Sequence, residues 1–141
     1  MNTRFGSLAL LAAVLACGTA EADVSSDWRR LAGIEIQRTA AGAKREGLIG
    51  KVDEAIARAR ATANANASSA NDSRGSASDR EDAAVAVAVL AVVEYLVPES
   101  REELEARLAI TFSRIPETDA KALGAAFGRA VAAEVLANVG R

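Results

Sequence analysis

Beyond residue 23 the apolar positions recur with a helical period. Trp28, Leu31, Ala32 and Glu35 or Ile36 line one side of a first helix ending near Thr39. Ser25-Ser26-Asp27 offers N-cap candidates, with Val24 as an apolar staple before them. Ala41-Gly42-Ala43 reads as a break. A second helix is expected over 46–63, with Leu48, Val52, Ile56, Ala59 and Ala63 on one face and Lys51, Glu54, Arg58 and Thr62 on the other. Residues 23–63 thus read as a helical hairpin. Residues 64–77 are small and polar without a period, which predicts a flexible loop, with Arg74 and Arg80 as the first sites of proteolysis.

Residues 78–141 read as a three-helix segment. Ser78-Asp79-Arg80-Glu81 has the capping-box spacing, with Ser78 as N-cap and the neighbouring acids at the positive end of the helix dipole. The wholly apolar run 83–93 follows. Its cap and length predict a helix buried on most sides, although the Ala-Val alternation also fits a buried strand. Ser100-Arg101-Glu102-Glu103 is a second capping box, leading into the stripe Leu104, Leu108, Phe112, Ile115, which Pro116 ends. A last helix opens at Glu117 or Thr118, with Leu123, Phe127, Ala130, Val131, Val135 and Asn138 on its inner side. Gly124 and Gly128 would let a neighbouring helix come close. The fold class is all-α, a small bundle of four to five helices.

The first twenty-two residues have a different pattern. Arg4 is the only charge before Glu21, and the run 5–16 is apolar except for Gly6 and Ser7. Ala20 and Ala22 then give an A-x-A end, so 1–22 is expected to be a cleaved signal peptide, cut before Asp23. Val14-Leu15-Ala16-Cys17 also fits a lipobox, which would make Cys17 a lipidated N-terminus instead. Either route places the protein in the periplasm or outside the cell, or anchors it by lipid at the envelope. The apolar runs are too short to span a bilayer, so no transmembrane span is expected in the mature chain.

Half of the 141 residues are hydrophobic but only 4% are aromatic, a mix that suits helices packed through small side chains. The formal charge is −2, with both signs interspersed and no basic stripe, which argues against nucleic-acid binding. The chain has no histidine, and Cys17 is its one cysteine. Ser/His and Cys/His nucleophile systems and the usual zinc sites are therefore excluded, as is an intrachain disulfide. Gly42, Gly47 and Gly50 do not make a phosphate loop. Glu102, Glu103 and Glu105 sit where a helix dipole favours acids. Asp53, Glu54 and the acids of 79–82 read as caps or solvated faces, and Trp28 as a core anchor. No catalytic residue, cofactor site or metal site is expected.

Three stretches carry a resemblance: the exported start leading into Asp27-Trp28; the Ala-rich run 82–96 followed by Val97-Pro98-Glu99-Ser100 and 104–115; and the segment from Ile115-Pro116-Glu117-Thr118-Asp119 through Gly128-Arg129-Ala130-Val131-Ala132. Together they resemble the all-helical N-terminal part of bacterial vanadium-dependent haloperoxidase-like proteins, within the type 2 phosphatidic acid phosphatase superfamily. The pocket of that family uses a Lys…Arg-Pro motif, a Pro-Ser-Gly-His motif and a later Ser-Arg…His motif. This chain has no Arg-Pro, no Pro-Ser-Gly and no histidine, so Ser73-Arg74, Ser100-Arg101 and Ser113-Arg114 inherit no catalytic role. The resemblance implies an N-terminal piece without its active-site half, inert alone. Such a piece would leave apolar helix faces along 83–96 and 123–139 uncovered, available to a protein partner or to self-association. The alternative is a small envelope protein or lipoprotein that acts as an interaction module.

Overall fold

A computed structural model describes residues 23–65 and 77–139. The expected signal peptide, with Cys17, Ala20 and Ala22, lies outside the described residues, as does the stretch 66–76 of the expected loop. The described chain forms five α-helices: α1 Val24–Thr39, α2 Gly42–Ala65, α3 Ala77–Leu96, α4 Arg101–Arg114 and α5 Asp119–Ala137. A 3₁₀ turn, Pro98–Ser100, joins α3 to α4. No strand occurs among the described residues, and the Ala-Val run is helical throughout. The all-α bundle expected from the sequence is the observed fold.

Helix α3 is the hub. Residues Ala83 to Val89, Val92 and Val93 are all buried, with α1, α2, α4 and α5 each packed against α3. A helix so apolar on every side is stable in water only when surrounded. This corrects the expectation of an uncovered face along 83–96 for most of its length, because the chain's own helices bury 83–89, 92 and 93, while Leu90, Ala91 and Leu96 are half-buried and Tyr95 is exposed. The core then runs outward through Trp28, Ala32 and Ile36 of α1, Val52, Ala55, Ile56, Ala59 and Ala63 of α2, and Val131, Ala132 and Val135 of α5.

The closest packing is between α3 and α5. A Cβ built at Gly124 would stand 2.2 Å from the Arg80 carbonyl oxygen, and one at Gly128 would stand 2.6 Å from that of Ala84. Only glycine permits backbones this close. The contact also turns α5 from its expected orientation. Gly124, Ala125, Gly128, Val131, Ala132 and Val135 face inward, whereas Leu123, Ala130 and Asn138 are exposed and Phe127 is half-buried. Small residues lie at the centre of this face, and the larger ones flank it.

The helix ends depart from the sequence reading. Asp23, not Ser25 to Asp27, is the N-cap of α1, and its carboxylate accepts from the Ser25 amide at 3.2 Å. Gly42, with φ +60°, opens α2 four residues before the expected start, and α2 runs on to Ala65. Residues 64, 65 and 77 are thus helical rather than loop. Ser78 lies inside α3, so its capping box does not form there. Ser100 stands at the N-cap of α4 but has helical backbone angles, and its hydroxyl donates to the Val97 carbonyl at 2.7 Å rather than accepting from the helix. Thr118 is the N-cap of α5 without a side-chain capping bond. Arg80, expected beside a loop and open to proteases, is 1% exposed, and its Nε donates to the Ala63 carbonyl at the end of α2.

Helix α4 is the least embedded. Leu104 is its one fully buried residue, while Leu108 and Phe112 are half-buried against the core. Two long-range bonds secure its last turn: the Trp28 indole N–H donates to Thr111 Oγ1 at 3.2 Å, and Lys121 Nζ donates to the Phe112 carbonyl at 2.9 Å. Lys121 also pairs with Glu117 and lies 5.1 Å from the Phe112 ring centroid, so its buried ammonium is well compensated.

Candidate functional site

A recess lies where the starts of α1 and α3 meet the end of α4. It is a cleft of about 200 Å³ lined by Val24, Asp27, Trp28, Asp79, Asp82, Thr111, Arg114 and Ile115. Each segment contributes for a local reason. Asp23 and Asp27 belong to the cap and first turn of α1, and Asp79 and Asp82 to the first turns of α3, where acids favour the helix dipole. Trp28 anchors the floor, since it is 1% exposed and its one polar atom is bonded to Thr111. Arg114 contributes the positive charge at the end of α4.

Bringing two helix starts together concentrates like charge. Burial first, then repulsion from Glu81, Asp23 and Asp79, pushes the Asp82 carboxyl up to about 6. Asp82 is therefore not the simply solvated acid the sequence suggested, and it exchanges its proton near neutrality. The sign of its effect on stability follows by linkage. A carboxyl that binds its proton more tightly when folded favours the fold at low pH, and that contribution is lost as the pH rises from about 4 through about 6. Asp82→Asn should therefore stabilise the protein at pH 7.5 by about 1 kcal/mol, the two-unit shift being discounted for solvent screening, and leave it little changed at pH 4. Thermal unfolding at the two pH values measures this; an equal effect at both would contradict the assignment.

A second carboxyl stands at the other end of α4. Glu94 of α3 is mostly buried, and its Oε1 has no hydrogen-bond partner, with the nearest cation, Arg101 Nε, at 3.9 Å. Burial, and then a hydrogen bond and charge from Glu105, raise its proton affinity, while Arg101 opposes them. Glu105 thus has a tertiary role beyond the dipole reading.

Elsewhere charges are matched across helices. Arg29 of α1 grips Asp53 of α2 at 2.6 Å, and Arg60 of α2 meets Glu81 of α3 at 2.8 Å. Arg58 of α2 reaches Glu54 and, at 3.4 Å, Glu134 of α5. The Asp53 hydrogen bond, and then its charge, raise the Arg29 pKa further. The Arg29–Asp53 pair lines a shallow hollow of about 260 Å³ bounded also by Asp23, Ser25 and Arg60. Opposite charges already satisfy each other there, which leaves little for a ligand.

Among the described residues no group of three or more His, Cys, Asp or Glu is arranged to hold a metal ion. The aspartates of the cleft offer hydrogen-bond acceptors and a titrating proton. A nucleophile activated by a histidine is impossible in a chain without one. The candidate residues the sequence pointed to, Cys17, Ala20 and Ala22, concern processing and lie outside the described residues. Asp82 is not legible because its burial and the repulsion from Asp23 join segments far apart in the chain, and Glu94 because its burial and the approach of Glu105 arise across the turn between α3 and α4. No protein-family model, curated protein or solved structure matches this chain.

Proposed function

We propose that this is an exported helical module that acts by binding a protein partner, with no catalysis of its own. One observation carries the reading: α3, whose run 83–93 is wholly apolar, has that run covered by the chain's own four other described helices. A half-domain awaiting a catalytic half would leave that helix partly bare, so enclosure favours the interaction module over the haloperoxidase-like fragment. Export rests on Arg4, the apolar run 5–16 and the Ala20/Ala22 end, with lipidation at Cys17 as the anchored form. Among the described residues no helix is long and apolar enough to cross a membrane.

Sedimentation velocity with a dye that senses apolar surface tests the reading. A monomer with little dye binding is expected. Obligate self-association with strong dye binding would instead support the haloperoxidase-like fragment. Mass spectrometry of the envelope form should find Asp23 or a lipidated Cys17 at the N-terminus, and an intact Met1 would overturn export.

A further inference from the structure

No further inference is drawn: the strongest candidate, the cleft of Asp27, Asp79, Asp82 and Arg114 where the starts of α1 and α3 meet the end of α4, belongs to the site already described and is a carboxylate cluster in which nothing in the structure points to a particular ligand.

Discussion

Replacing Gly124 by alanine is expected to destabilise the protein by about 2 kcal/mol, and replacing both Gly124 and Gly128 by about twice that. Alanine is ordinarily favoured over glycine inside a helix by about 1 kcal/mol, so the expected sign runs against intrinsic propensity. The reason is the 2.2 Å and 2.6 Å approach of an added Cβ to the Arg80 and Ala84 carbonyl oxygens. Those are backbone atoms, which cannot swing aside, so α5 must separate from α3. Gly33, Gly47 and Gly50 provide the internal control: an added Cβ meets nothing within 4 Å at any of them. Alanine there should be neutral or stabilising by up to about 1 kcal/mol. Denaturant unfolding of the five variants decides the matter. Equal effects at all five positions would mean that α5 does not sit this close to α3.

Trp28→Ala is expected to have the largest effect of any single truncation, about 3–5 kcal/mol. The side chain is 1% exposed and joins α1 to the floor of the acidic cleft. Its loss leaves a cavity and strips Thr111 of its bond to α1. Trp28→Phe separates the two contributions. It keeps most of the apolar volume and removes the N–H, so about 1–2 kcal/mol is expected, with α4 loosened more than α1. A Trp28→Phe variant as damaged as Trp28→Ala would place most of the energy in the hydrogen bond rather than in packing.

These effects also mark what could be read from the sequence. The inner face of α2, from Val52 through Ala63, follows directly from its period, because large and small apolar residues there share one side. The burial of 83–93 follows from the absence of any polar face. On α5 the same reasoning misplaced Leu123 and Ala130, since it gives weight to bulk, while the contact with α3 is built on the lack of it. The caps misled for a related reason. Ser78 and Ser100 have the right spacing, but Ser78 lies within its helix and Ser100 is turned to Val97. The cleft could not be read at all. Asp27, Asp82 and Arg114 converge from three distant segments, and no local pattern encodes that meeting. Arg80 and Lys121 were equally hidden: a charged residue in the first turn of a helix looks solvated until neighbouring helices close over it.

Native-state amide exchange of the purified protein tests most directly whether the chain's own helices enclose the apolar run of α3. The amides of 83–93 should exchange slowest of all, and only through global unfolding, in a protein with no partner added. Rapid exchange along 83–93, with protection appearing only on self-association or on addition of another protein, would contradict it.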